Sequence, residues 1–338
     1  MKTVTLFMTI MLLIALPTIA LEAQDKKEWI SPEAAAKVVD FQLQGEYLGL
    51  EDRSQGDGTG TKVTEGLQII ALGGGKFRGV IYLGGLPGAG WSRGDTSKTF
   101  NGKLNDQGQL IFALDEDEAI GTLKAGKLTL TKGGESFEMK KVARKSPTMG
   151  KAAPKGAVVL FDGTKDAAKN NFQRGQIVME NLLRHDVETN AKFGDHQLHL
   201  EFRLPFMPYA RGQGRGNSGM YVQGRYECQI LDSFGLDGAN NECGGIYQIA
   251  KPNVNMCLPP LVWQTYDVDF TAARYDDAGK KVKNARVTIS HNGVKIHDDL
   301  ELPNGTPGKH PEGPGPDILY LQGHGNPVVF RNIWVVNK

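Results

Sequence analysis

Short apolar and polar alternations fill most of the chain and divide it in two. Between residues 40 and 145 they form segments such as "KVTEGLQIIAL", "KFRGVIYLGGL", "GQLIFAL" and "GKLTLTKG", separated by the turns "GGGK", "NDQG" and "KGGE". A period of two marks half-buried strands, and glycine supplies the positive φ of tight hairpins. The pattern predicts a small antiparallel β domain, preceded by one short helix in "SPEAAAKVVDF" that opens on a Ser-Pro pair. Residues 146–155, "SPTMGKAAPK", lack any apolar period and read as an interdomain linker. From 156 to 338 the alternation returns in "HQLHLEFRLP", "NSGMYVQG", "RYECQILDS", "WQTYDVDFTA", "ARVTISHNGVKIHDDLEL" and "VVFRNIWVV", where "HNGV" is a type I′ hairpin signal. Many short strands without long helices predict an all-β sandwich or jelly roll of two packed sheets. The acidic run "DEDE" at 115–118 reads as a solvated hairpin tip and "YDDAG" at 275–279 as a turn.

The stretch "NSGMYVQGRYECQILD" alternates apolar residues with hydrogen-bonding types of fixed geometry, which points to a binding surface. Two strands around Gly224-Arg225 place Met220 and Val222 on one face and Tyr221 and Gln223 on the other. In the second strand Tyr226, Cys228 and Ile230 oppose Glu227 and Gln229. Aligned, Tyr221, Gln223, Glu227 and Gln229 form one polar patch with Arg225 at its rim. Planar amides, a carboxylate, a guanidinium and an aromatic face suit a sugar ring, whose hydroxyls need directed partners and whose C–H face packs on aromatics.

Composition narrows the function further. The 39 basic and 38 acidic side chains leave a net charge of +1, with no footprint for nucleic acid or an anionic membrane surface. Lys2 followed by the apolar "VTLFMTIMLLIAL" and the small-residue sites at Ala20 and Ala23 predicts a signal peptide over residues 1–23. That run is short for a stable membrane span, so an exported bacterial protein, periplasmic or secreted, is expected. Of three cysteines, Cys228 reads as a buried free thiol. Whether Cys243 and Cys257 pair across their loop stays open at this point, because spacing alone does not give disulfide geometry. His185, His196, His199, His291 and His297 show no grouped spacing and read as structural or exposed.

The segments "NSGMYVQGRYECQILDSFG", "NNECGGIYQIAKPNVNMCLPP", "WQTYDVDFTAARYD" and "LYLQGHGNPVVFRNIWV", in this order over about residues 156–338, resemble the 3-keto-disaccharide hydrolase family. The resemblance implies a concanavalin-A-like lectin/glucanase sandwich acting on glycosides oxidised to a ketone at C3. It departs at Gly323, where related sequences often carry Asp. The strand lacks the carboxylate pair of an ordinary glycosidase, unless a bulge turns Asp232 inward. A C3 ketone acidifies the C2 hydrogen, so one base, one enolate stabiliser and one acid suffice for β-elimination of the C1 substituent.

Candidate acids and bases are Glu227, Asp232 and His324. Arg225 is the candidate stabiliser, with a divalent metal cation held by a carboxylate and His324 as the other route. Asn217 and Ser218 are candidates for binding a hydroxyl or bracing the loop. Tyr221, Tyr247 and Trp263 are candidate sugar platforms, and Gln322 and Asn326 flank His324. The expected partner is a glycoside or oligosaccharide, supplied by a separate sugar 3-oxidoreductase. The glycines of "ALGGGKFRGV" lie in a hairpin without the helix a nicotinamide site requires. Two further readings remain: a lectin-like module that binds on the same face without turnover, and an envelope interaction protein using its N-terminal domain.

Overall fold

A computed structural model describes residues 28–54, 60–114, 119–124, 126–132 and 135–338. The predicted signal peptide and the "DEDE" run lie outside the described residues. Among those described, no helix is long and apolar enough to cross a membrane.

The N-terminal part closes into an eight-stranded antiparallel barrel whose first strand, Gly45–Ser54, pairs with both Gly60–Gly73 and Glu135–Val142. Among the described side chains, Tyr47, Leu67, Ile69, Phe77, Phe100, Phe112, Leu128, Leu130 and Met139 pack into one apolar core of the barrel. Instead of one helix, the segment before it forms two short ones, Pro32–Ala35 and Val39–Leu43. The first is capped by Ser31, whose side chain accepts from the Ala34 amide.

Residues 158–337 form the two-sheet sandwich. One sheet, here the site sheet, has five strands in the order Phe172–Gln173, Val187–Phe193, Asp317–Leu321, Ser218–Val222 and Tyr226–Ile230. The other, the back sheet, has eight and includes His196–Arg203, Trp263–Thr271, Ala285–His291, Val294–Leu302 and Val329–Asn337. The "HNGV" turn is type I′ in form, with positive φ at both Asn292 and Gly293. "YDDAG" is a turn in which the Asp276 carboxylate accepts the amides of Ala278 and Lys280. Leu198, Leu200, Phe202, Met220, Val222, Ile230, Val268, Phe270, Ile289, Phe330 and Val335 pack between the sheets.

All three cysteines are free and buried in this core, so Cys243 and Cys257 are not bridged. The Cys243 thiol instead lies 3.3 Å from the Tyr266 hydroxyl. Of the five histidines without grouped spacing, His196, His199, His291 and His297 are buried, each with a hydrogen-bond partner.

The stretch read as a linker is bound along the outer face of the back sheet. Ser146 meets Thr265 at 2.6 Å, Thr148 donates to Asp267 at 2.6 Å, and the Gly150 amide donates to Glu201 at 2.6 Å. Beneath it His199 is fully buried, 2.8 Å from Asp267. Burial disfavours the imidazolium, but Asp267 and Glu201 outweigh it and raise the His199 pKa. Small polar residues gave no apolar pattern here because the segment docks through directed hydrogen bonds.

Where the chain leaves the barrel, Arg144 forms a two-pronged bond to the buried Glu46, at 2.7 and 2.5 Å, and donates to the Pro87 carbonyl at 2.6 Å. Removing one partner of such a pair strands a charge in a low-dielectric interior. Arg144→Leu is therefore expected to cost about 3 kcal/mol in chemical denaturation, and the added change Glu46→Gln to recover at least half. A single-variant loss within experimental error would contradict this reading of the pair.

Candidate functional site

Alternation in the hairpin strands builds the site face. Met220, Val222, Tyr226, Cys228 and Ile230 enter the sandwich core, while Tyr221 joins Ile318 and Tyr320 on the opposite side of the sheet. Backbone register then aligns residues of all five strands in one row. Tyr221 pairs with Glu227 and with Tyr320, Tyr320 pairs with Glu188, and Glu188 with Gln173. The segment following Cys243 extends the row past the last strand. Cys228 bridges Ile246 and the Tyr247 amide donates to the Glu227 carbonyl at 3.1 Å, so Tyr247 sits across from Glu227.

Glu227 occupies an unusual place in this row. It is only 3 % exposed, and no cation is among the influences on its carboxyl. Burial pushes its pKa up to about 7, with the Tyr221 hydroxyl pulling the other way. Burial also raises the Tyr221 phenol, and the neighbouring Glu227 charge adds to that rise. The carboxyl fits because residue 219 is glycine. A Cβ there would lie 2.3 Å from Glu227 Oε1 and 3.0 Å from the Tyr221 ring. The loop after Leu302 closes the other side: Thr306 Oγ1 accepts the Glu227 amide at 2.9 Å, and Tyr221 donates to the Pro307 carbonyl at 3.3 Å.

An amide cluster adjoins the carboxyl. Gln213 Oε1 accepts from Gln229 at 3.2 Å and from Asn217 Nδ2 at 3.1 Å, and the same Asn217 nitrogen donates to the Gln213 carbonyl at 2.7 Å. Two acceptors on one atom fix the Asn217 amide orientation and leave its Oδ1 buried without a partner. Asn326 accepts the Asn217 backbone amide at 2.7 Å, Ser218 donates to the Gln322 carbonyl at 2.7 Å, and Gln322 donates to the Tyr221 hydroxyl at 3.2 Å. These bonds tie down both ends of the loop that carries the exposed His324. Ser218 thus braces the loop, while Asn217 Oδ1 lies buried and unpartnered in the amide cluster. Gly323 leaves room for Asp186, since a Cβ there would come within 2.5 Å of the Asp186 Cβ.

Four expected site residues lie elsewhere. Gln223 has φ 53° in the hairpin turn, and its side chain donates to the Phe193 carbonyl at 2.9 Å instead of continuing the patch. Arg225 is spent on structure: it donates to the Gly313 and Gly315 carbonyls at 2.6 and 3.2 Å and pairs with Asp317 at 3.3 Å. Asp232 is not turned toward Glu227; it binds Arg215 Nε at 2.5 Å, both groups being buried. Trp263 belongs to the back sheet, with Arg331 and Arg203 at 4.0 and 5.0 Å from its ring.

The structure adds residues that sequence reasoning passed over. Tyr320 lies 5.5 Å from Tyr221 between ring centroids and carries Lys309 Nζ over its own ring at 4.8 Å. Period two in "ILYLQ" puts Tyr320 and Gln322 on one face, a signal available in the chain. Gln213 and Glu188 had none, because loop path and strand order bring them in. Among the described residues no group of three or more His, Cys, Asp or Glu side chains is disposed to hold a metal ion.

Residues 156–336 match the family described as the 3-keto-alpha-glucoside-1,2-lyase-like domain. The chain belongs to this family. A solved structure from Parabacteroides distasonis, of a protein provisionally named a glycosyl hydrolase, is 30 % identical over 55 % of this chain and 85 % of its own, with a TM-score of 0.49. Two others from that organism, similarly named, are 19 % identical over 54 % of this chain and 99 and 94 % of theirs, with TM-scores of 0.37 and 0.39. No curated protein matches. Membership assigns the sandwich a carbohydrate-active role and leaves the barrel outside the match.

Glu188 is the other carboxylate in the row, three strand spacings from Glu227, or roughly 14 Å. Retaining and inverting glycosidases hold their two carboxyls about 5 to 9.5 Å apart. The row does not supply that pair.

Two measurements follow from the Glu227 environment. The folded protein binds this proton more tightly than the unfolded chain, so its stabilising contribution is complete below pH 4.5 and is lost as pH rises through about 7. That loss is on the order of 3 kcal/mol. Glu227→Gln is expected to be more stable than the wild type at pH 8, with the difference vanishing toward pH 4; a variant less stable at both would contradict the burial argument. Gly219→Ala is expected to displace the carboxyl and lower turnover about 100-fold or more. Unchanged turnover in a folded Gly219→Ala protein would show that the contact does not set the site.

Proposed function

We propose that this protein cleaves 3-keto-glycosides by elimination, with Glu227 as the base. The observation that carries this reading is a single buried carboxyl with its pKa near 7 and no cation neutralising it. A base of that strength holds enough carboxylate at neutral pH to accept a proton, and a C2 hydrogen beside a ketone is acidic enough to be removed by it. The C2–H electron pair passes into the C2–C3 bond as the enolate forms. The enolate then returns that pair to form C1=C2, restoring the C3 ketone and breaking the C1–O bond. The leaving oxygen takes up a proton, giving an enone and a free alcohol; addition of water to the enone would complete a net hydrolysis.

Each neighbour has a role consistent with this route. Tyr221 positions Glu227, and Tyr221 and Tyr320 offer aromatic edges along the row. The unpartnered Asn217 Oδ1 accepts from a sugar hydroxyl. Tyr247, opposite Glu227, and His324, on its tethered loop, are the groups left to protonate the leaving oxygen. Arg225 is given no role in the step, because its terminal nitrogens hold the Gly313 and Gly315 carbonyls and Asp317.

Export to the periplasm or medium belongs to the same proposal and is carried by the N-terminal apolar segment. A sugar 3-oxidoreductase class of enzyme must then supply the substrate.

The test uses a 3-keto-glucoside in heavy water with wild type and Glu227→Gln. Expected are enzyme-dependent deuterium incorporation at C2, release of the aglycone, and kcat/KM rising through a pKa near 7. The variant is expected to lose both exchange and release by about 100-fold or more. Saturable binding of the unoxidised sugar, with neither exchange nor release across several keto-sugars, would replace this reading with the lectin one.

A further inference from the structure

The barrel holds the sandwich through arginine–carbonyl bonds that run in both directions. From the sandwich, Arg211 Nη2 donates to the Leu72 carbonyl at 2.6 Å and Arg215 Nη1 to the Ala71 carbonyl at 3.1 Å. The next barrel residue, Gly73, lies under the Tyr209 ring, and a Cβ there would approach it to 2.5 Å. From the barrel, Arg78 donates to the Gly235 carbonyl at 2.9 Å. Arg93 donates to the carbonyls of Asp237, Gly238 and Pro252 at 2.8, 2.9 and 3.0 Å. Guanidinium donors fixed on several backbone acceptors hold a loop with little freedom.

The two gripped loops meet at Gln213. This residue lies in the single turn Gly212–Gly214, between the anchors Arg211 and Arg215. Its Nε2 donates to the Asn241 carbonyl at 2.8 Å, in the second gripped loop. Its Oε1 accepts from Gln229 and Asn217 beside Glu227. The path from barrel to site is thus one guanidinium, one turn and one amide.

We infer that the barrel is a positioning module for substrate binding: through Arg211 and Arg215 it sets Gln213, which orients Asn217 so that its unpartnered Oδ1 meets a substrate hydroxyl. Gln213 and Arg211 are positioning residues here, and Asn217 is the one that touches the sugar. The substrate part of this inference rests on the proposed function, whereas the mechanical link from barrel to loop does not.

The full chain carrying Arg211→Ala is the test, because Arg211 is exposed and its loss leaves no buried charge unpaired. Amide hydrogen exchange is read across the protein, and kcat and KM are read with p-nitrophenyl 3-keto-α-glucoside. Expected are faster exchange at residues 212–217, a KM raised about tenfold with kcat within twofold, and substantial recovery in Arg211→Lys, which keeps one donor for the Leu72 carbonyl. Gly73→Ala, made from the barrel side, is expected to quicken the same amides. Unchanged exchange at 212–217, or a lower melting temperature with KM unaffected, would overturn the inference. If the wild type turns over no 3-keto-glycoside, the proposed function fails while the exchange measurement still decides the link.

Discussion

The site depends on one carboxyl group that is almost wholly withdrawn from solvent. Glu227 lies over a glycine, beside a phenol, on a sheet whose other face is the packed core. Its charge is therefore disfavoured by desolvation, and that penalty is what moves the group from an ordinary acid to one balanced near neutral pH. Much of the local sequence serves this placement. Gly219 makes the space, the Tyr221 hydroxyl tempers the rise in pKa, and Thr306 satisfies the Glu227 backbone amide from the overlying loop.

The rest of the sandwich converts that placement into a surface with direction. Strand register lines up Tyr247, Glu227, Tyr221, Tyr320 and Glu188 across the sheet. An amide cluster flanks it, and the loop of His324 is tied to the same strands through Asn217, Ser218 and Tyr221. The wide spacing of Glu227 and Glu188 separates this arrangement from the paired carboxyls of ordinary glycosidases, in keeping with a family that is described by keto-glucoside chemistry. Catalysis with one base is reasonable only where the substrate itself carries the electron sink, and a C3 ketone is such a sink.

Much of this was legible in the chain. Period-two alternation assigned Tyr221, Glu227 and Gln229 to one face and Met220, Tyr226 and Ile230 to the other, because side-chain direction in a strand is a local property. It failed one residue later. Gln223 adopts a left-handed backbone and leaves the strand, a turn choice that alternation does not encode. Arg225, Asp232 and Trp263 fit the chemistry of a sugar site by residue type, but the tertiary fold gives each another partner. Arg225 holds the loop over the hairpin, Asp232 neutralises Arg215, and Trp263 lies between two arginines on the other sheet. The docking of the segment between the two domains was not legible either: its binding to the back sheet uses hydroxyls and backbone amides, which leave no hydrophobic signature.

The most direct check on the account is the ionisation of Glu227 itself. Glutamate labelled with carbon-13 at the side-chain carboxyl, followed by NMR from pH 4 to 9 in the wild type and in Glu227→Gln, isolates that group. One carboxyl resonance is expected to titrate near pH 7 in the wild type and to be missing from the variant. A Glu227 resonance that titrates near 4.5, as a solvated glutamate does, would contradict it and remove the base on which the proposed chemistry rests.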